Sequence, residues 1–213
     1  MKRKRLYISL GFVFAFVVWT VLVKTVDVAE IGVNNTEVGF SQLNGWFKSL
    51  IGENYALYVI TDWLGFVPIF FGFAFAILGC AQWIKRKSIA KVDRSLLTLG
   101  AFYIAVITAY VLFETILINY RPVLIEGRME SSYPSSTTML VMCVMPTAMM
   151  QLRARIKNKV FSRCVMIAIA VFIVFMVIGR LVSGVHWITD IIGGALVSAG
   201  LVITYASVSD IHK

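Results

Sequence analysis

Apolar residues run in long blocks along this chain, and polar residues gather in short clusters between them. Six blocks come close to the roughly 20 residues that a helix needs to cross a hydrocarbon core. They lie at 6–25, 56–84, 97–119, 134–152, 160–179 and 186–207. The pattern predicts an all-α, polytopic membrane protein built as a six-helix transmembrane bundle. The first block follows MKRKR, exceeds the apolar core of a signal peptide and precedes no small-x-small cleavage site, so it reads as a retained signal anchor. The 26–55 connection is too polar to span. Within it Phe40, Leu43, Trp46, Phe47 and Leu50 recur at helical spacing, which predicts an outer interfacial helix. With no repeat, low-complexity tract or linker, a single domain over 1–213 is expected.

Composition sharpens this picture. Of the 213 residues, 59% are hydrophobic and only 15% charged, outside the range of soluble domains. The net charge of +9 does not indicate a nucleic-acid partner, because Lys and Arg fall in clusters between apolar blocks and not along an exposed face. Fifteen of the 20 lie at 2–5, 85–94, 151–163 and Lys213. The positive-inside bias therefore puts both termini in the cytoplasm and the 119–135 and 180–186 connections outside. Cys80, Cys143 and Cys164 are isolated in or beside apolar blocks and are expected to be buried small hydrophobes.

The candidate chemistry collects at that outer end. In GRLVSGVHWITDIIGG (179–194), Asp190 follows His186 at i+4 and is expected to hold the imidazole, leaving the other ring nitrogen free as nucleophile or base. Arg121, just before Pro122, and Arg180 would form an anion clamp. In YPSSTTM (133–139), Ser135, Ser136 and Thr137 stand where a helix begins and free N–H groups favour an anion, with Thr138 assigned to the cap. Together these describe a phosphate site with its own nucleophile. No metal site is expected, since His212 is assigned to a cytoplasmic tail and no paired-His spacing exists. Gly179-x4-Gly184 is not a P-loop, because Val185 stands where the lysine would be.

Each residue also has a plainer reading. Arg121, Arg128 and Arg180 would snorkel to headgroups, Trp187 would sit at the interface, and Gly193, Gly194, Ser198 and Ala199 would serve close helix packing. Glu114, two turns before Arg121, is read as its ion-pair partner, with proton donation as the alternative. Asp62 either lines the site or caps local backbone.

Gly179-Arg180-x5-His186-x3-Asp190, Arg121-Pro122 and Pro134-Ser135 resemble, in order and spacing, the three motifs of the type 2 phosphatidic acid phosphatase (PAP2) superfamily. In that family's pattern a serine precedes the third-motif arginine, a lysine lies seven residues before the first-motif arginine, and the second motif ends in Gly-His. Here those places hold Gly179, Glu114 and Ser136-Thr137. The resemblance implies a lipid phosphatase in a bacterial cytoplasmic membrane, acting on a phosphorylated lipid at the outer face without cofactor or metal. It also implies attack by His186 to form a phosphohistidine, with Asp190 holding the ring and Arg121 and Arg180 neutralising the phosphoryl oxygens. Thr137 is a poor proton donor, which favours a lipid diphosphate, such as a polyprenyl (undecaprenyl) diphosphate, over a monoester. Two other classes compete: a catalytically silent protein that binds phosphorylated lipid, and a small transporter. The transporter is the weakest of the three, because the charges gather at one face instead of forming a path across the bilayer.

Overall fold

The computed structural model describes residues 2–209, and His212 and Lys213 lie outside them. The described residues are helical apart from connections: α1 (Lys2–Thr25), α2 (Ser41–Ile51), α3 (Tyr55–Leu64), α4 (Phe66–Arg86), α5 (Arg94–Thr115), α6 (Ser136–Arg155), α7 (Lys159–Val182) and α8 (Ile188–Val208). The apolar block predicted at 56–84 is two helices, broken at Gly65, where a Cβ would come 2.8 Å from the Asp62 carbonyl oxygen. Together α3 and α4 form one 32-residue span, and α1, α5, α7 and α8 are the other helices long and apolar enough to cross a membrane.

The span predicted at 134–152, α6, is long enough at 20 residues but less apolar. It packs against α4, α5, α7 and α8, so its Thr138, Thr147 and Gln151 are buried against protein. A helix surrounded by helices does not need a lipid-compatible surface. On the outer helices the opposite holds: Phe70, Phe73 and Ile77 of α4 and Ile104 and Ile107 of α5 all face outward. Cys143 is buried, but Cys80 and Cys164 are exposed on this outer surface, contrary to expectation. An apolar environment of lipid selects small hydrophobes as readily as a core does.

The segment at 26–55 does contain a helix, α2. It leaves Leu43, Trp46 and Leu50 exposed while Asn44 anchors it by donating to the Gly39 carbonyl and the Thr189 hydroxyl. Helix α1 lies along α8, with Ser9 donating to the Gly200 carbonyl at 2.8 Å and Arg5 reaching the Ala206 carbonyl. Successive spans run in alternate directions, so the C-terminal ends of α5 and α7 meet the N-terminal ends of α6 and α8 at one end of the bundle.

At that end the backbone of α8 approaches the 133–138 turn closely. A Cβ on Gly193 would sit 2.7 Å from the Tyr133 ring, and one on Gly194 would sit 3.1 Å from the Ser135 carbonyl oxygen. Tyr133 is held in turn by a 2.8 Å hydrogen bond to Thr20. The packing expected of these small residues is thus partly against a turn. Gly193→Ala is expected to cost about 1–3 kcal/mol through overpacking, whereas Gly79→Ala, with open space at its Cβ position, should be near neutral. Thermal unfolding of both variants in detergent checks the difference.

Candidate active site

Helix α7 ends at Val182, and Gly184 turns the chain back toward α8 with φ +70°. A side chain there would be strained and would also strike the Gly52 carbonyl, 2.1 Å from an ideal Cβ. Around this turn Asn54 N–H donates to the Ser183 carbonyl, and Lys48 bridges the Gly184 carbonyl and Glu53. The turn presents Arg180 from the last helical turn of α7 and His186 from the loop. Asp190 follows in the first turn of α8.

Arg180 does not snorkel outward; it is only 1% exposed. Its guanidinium approaches Asp62 (Nη1–Oδ1 3.5 Å), lies 5.1 Å from the centre of the Tyr58 ring, and points Nη2 at His186 Nε2 across 3.2 Å. A guanidinium has donors and no acceptor, so this contact requires a lone pair on Nε2 and puts the ring proton on Nδ1. Burial first, and then the positive charges of Arg121 and Arg180, hold the His186 pKa well below the ordinary imidazole range. The ring is therefore neutral, with its free lone pair on Nε2.

The expected direct bond from Asp190 to the imidazole is absent: Asp190 Oδ2 lies 3.8 Å from Nδ1. Ser132 stands between them. Its hydroxyl donates to Asp190 Oδ2 and lies 3.1 Å from Nδ1, and its carbonyl oxygen lies 3.2 Å from the same nitrogen. With its one proton committed to the carboxylate, the hydroxyl accepts from Nδ1–H. Asp190 Oδ2 also accepts the Trp187 N–H at 2.8 Å, capping α8. The i+4 spacing brings the two side chains near each other, but the first turn of the helix takes the carboxylate for its own cap, and a hydroxyl fills the remaining gap. Sequence reasoning missed Ser132 because one more serine in ESSYPSS carries no distinguishing signal. Buried Asn119, whose amide also approaches Asp190, was missed for the same reason.

Arg121 reaches the site from the 119–132 hairpin, where its N–H donates to the Glu130 carbonyl. Its acidic partner is Glu130 (Nε–Oε2 3.2 Å), not Glu114. The pairing inferred from helical spacing fails because α5 stops at Thr115 and Ile116 is extended, so Glu114 and Arg121 do not share a helix. Glu114 stays exposed at the end of α5. Ser135, not Thr138, is the N-cap of α6, and its N–H donates to the Asp190 carbonyl. Ser136 and Thr137 are half-buried in the first turn, with the Thr137 methyl beside Gly65. Trp187 is buried, not interfacial, and its indole donates to the Tyr120 carbonyl at 2.8 Å. Arg121 Nη1, Arg180 Nε and the Ser135 hydroxyl are buried donors without a hydrogen-bond acceptor. Leaving such donors unmatched is costly, so they are available to an acceptor that enters the site. Among the described residues no cluster of His, Cys, Asp and Glu suits a metal ion.

The sequence model described as the PAP2 superfamily matches residues 99–212, more than half of the chain. The chain belongs to the PAP2 superfamily. No curated protein matches it. Among solved structures it is similar to the first transmembrane PAP2-type phosphatidylglycerolphosphate phosphatase from Bacillus subtilis, at 21% identity over 93% of each chain with a TM-score of 0.61. At that identity the likeness shows the fold, which is that of a PAP2 membrane phosphatase.

The match covers α5 from Leu99 onward, α6 to α8, and every candidate site residue except Asp62. Gly179, where the PAP2 pattern has serine, has a local cause: a Cβ would lie 2.7 Å from the Thr61 methyl, and Thr61 is fully buried between α3 and α7. Ser132→Ala is expected to lower kcat about 10- to 100-fold, the rate equivalent of the roughly 1.5–3 kcal/mol of a charge-assisted hydrogen bond. KM should change little, and Ser132→Thr should restore most of the rate. Because the folded-state pKa of His186 lies below the ordinary value of about 6.5, its neutral form persists as pH falls through that value. The acidic limb of kcat/KM due to this ring should accordingly appear at lower pH than for an ordinary imidazole, as a pH–rate profile would show.

Proposed function

We propose that this PAP2 protein is a lipid phosphatase that acts at the outer membrane face through a phosphohistidine intermediate at His186. The observation that carries the reading is the neutral His186 ring, aligned through Ser132 and Asp190, with Nε2 turned toward a buried guanidinium. A protein that only held lipid phosphate would need the arginines but not an oriented nucleophile.

In the proposed reaction the phosphate enters between Arg180 and Arg121, and Arg180 Nη2 exchanges Nε2 for a phosphoryl oxygen. The Nε2 lone pair then attacks phosphorus. The N–P bond forms as the bond from phosphorus to the leaving oxygen breaks, and that oxygen departs with the electron pair. The imidazole gains positive charge, which Nδ1–H passes along the Ser132 hydroxyl toward the Asp190 carboxylate as stronger hydrogen bonding. Arg121, Arg180 and the N–H groups opening α6 stabilise the equatorial oxygens. Water then attacks phosphorus, the N–P bond breaks, and inorganic phosphate leaves with the neutral ring restored.

The leaving oxygen decides the substrate. A phosphomonoester expels an alkoxide whose conjugate acid has a pKa of roughly 15, near that of water, and needs a proton in the transition state. A diphosphate expels a phosphate monoester with a second pKa of about 6. Thr137 is a poor acid, Glu114 is exposed at the end of α5, and Asp62 and Glu130 are each engaged by a guanidinium. This supports a lipid diphosphate, of the polyprenyl type, as the preferred substrate. Phosphatidylglycerolphosphate, named for the similar structure, is the monoester against which to compare it.

Purified protein is expected to release phosphate from a polyprenyl diphosphate faster than from phosphatidylglycerolphosphate or phosphatidic acid. His186→Ala should abolish release, and Thr137→His should raise monoester turnover selectively. A wild-type preference for monoesters would overturn the substrate assignment, and full activity in His186→Ala would overturn the nucleophile. No release from any of these lipids, with binding retained, would favour a catalytically silent lipid-binding protein.

A further inference from the structure

At the opposite end of α6 and α7 a groove of about 480 Å³ opens beside the connection between the two helices. It lies roughly 30 Å from His186, the length of a 20-residue helix. Arg153 comes to it from α6, and Lys159, Ser162, Arg163, Met166 and Ile167 come from α7. The five α7 positions follow i, i+3, i+4, i+7 and i+8, one continuous stripe. Along that stripe the chemistry changes in order, from two cations and a hydroxyl at the helix end to two apolar side chains one turn further toward the middle of the span.

The three cations are not consumed by the fold. Nearby Arg155 is bound to Gln151 and lies 3.9 Å from Asp93, and Arg86 lies 2.9 Å from Asp93. By contrast, among the described residues Arg153, Lys159 and Arg163 have neither ion pair nor hydrogen-bond partner. No acid lines the groove. The α7 N-terminus itself is already satisfied, since the Asn158 side chain accepts from the Val160 and Phe161 N–H groups. Recognition would therefore come from the side chains. Ile167 is 58% exposed on the outer surface of a spanning helix, where an acyl chain would lie.

We infer that this groove is a binding site for an anionic glycerophospholipid, with the phosphodiester headgroup among Arg153, Lys159 and Arg163 and an acyl chain along Met166 and Ile167. Three positive charges above an apolar strip match a negative headgroup on a hydrocarbon chain, and basic pockets between spanning helices take such headgroups. The site is separate from the His186 centre and stands whether or not that centre is a phosphatase. It lies at the end of the bundle that the charge bias assigns to the cytoplasm.

The test uses the full chain purified in a neutral detergent, titrated with dioleoyl phosphatidylglycerol, dioleoyl phosphatidylcholine or inorganic phosphate. Native mass spectrometry reads retained lipid, and thermal unfolding reads stabilisation. Phosphatidylglycerol should be retained and should raise the unfolding temperature, whereas phosphatidylcholine and phosphate should not. Each removed cation should weaken retention roughly fivefold, and Arg153→Gln/Lys159→Gln/Arg163→Gln together on the order of a hundredfold. Arg163→Glu alone should weaken phosphatidylglycerol retention more than loss of one cation does, and Lys87→Gln, outside the groove, should change nothing. Equal retention of phosphatidylcholine, an equal effect of free phosphate, or phosphatidylglycerol binding that survives the triple substitution would each overturn the site.

Discussion

A guanidinium and a carboxylate held inside a membrane bundle must find their partners in the protein, because neither lipid nor bulk water will supply them. Arg180 and Asp190 meet that constraint through one connected chain: Asp62 and Tyr58 on one side of Arg180, His186 on the other, then Ser132, then Asp190, and from Asp190 the backbone of Trp187. The chain ties α3, α7, α8 and the 119–135 connection to one point. Several local features of the end of the bundle follow from closing it. Gly184 allows the tight turn that brings His186 back over Arg180, Gly179 admits Thr61, and Gly193 and Gly194 let α8 approach the turn that delivers Ser132 and Ser135. Loss of any link would leave a buried charge short of a partner, which is more costly than loss of an exposed pair.

The other end of the bundle is held by a different network, and this matters to the site. Gln151, fully buried on α6, donates to the Ser95 carbonyl and the Tyr205 hydroxyl, while Asp93 gathers Gln82, Arg86 and Arg155. These contacts link α4, α5, α6 and α8. The Gln82 hydrogen bond, followed by the Arg86 one, holds the Asp93 carboxyl below its ordinary pKa, which favours its ionised form. With α6 fixed near both ends, the N–H groups at its start have little freedom to drift from the His186 loop. Rigid supports of this kind are what a preorganised anion site requires.

How far the residues reveal this arrangement depends on which force dominates at each place. The outer helices are legible because lipid contact demands long apolar runs, and Arg180, His186 and Asp190 are legible because ionisable groups between such runs need a reason to be there. Helix α6 is harder to recognise from hydropathy, since its polar residues are satisfied by neighbouring helices. The Glu114 pairing goes astray because spacing arguments assume that a helix continues, and α5 ends before Arg121. Ser132 is invisible for another reason. Its role comes from the 58-residue separation across which it meets Asp190, and a hydroxyl in a polar loop has no periodicity to betray it.

The charges around His186 come close to balance. Arg121 and Arg180 bring two positive charges; ionised Asp62, Glu130 and Asp190 would bring three negative ones, with the ring neutral. Asp190 is fully buried and tied into the cap of α8, so it cannot leave. Asp62 and Glu130 differ, with side chains 55% and 42% exposed and each bonded to a single guanidinium. Half-exposed carboxylates of this kind are held only weakly and regain water when they swing away. Arg180 is buried and Arg121 nearly so, their side chains 1% and 10% exposed. Asp62 and Glu130 thus offset the repulsion between two neighbouring guanidiniums, which lets both stand beside one neutral imidazole.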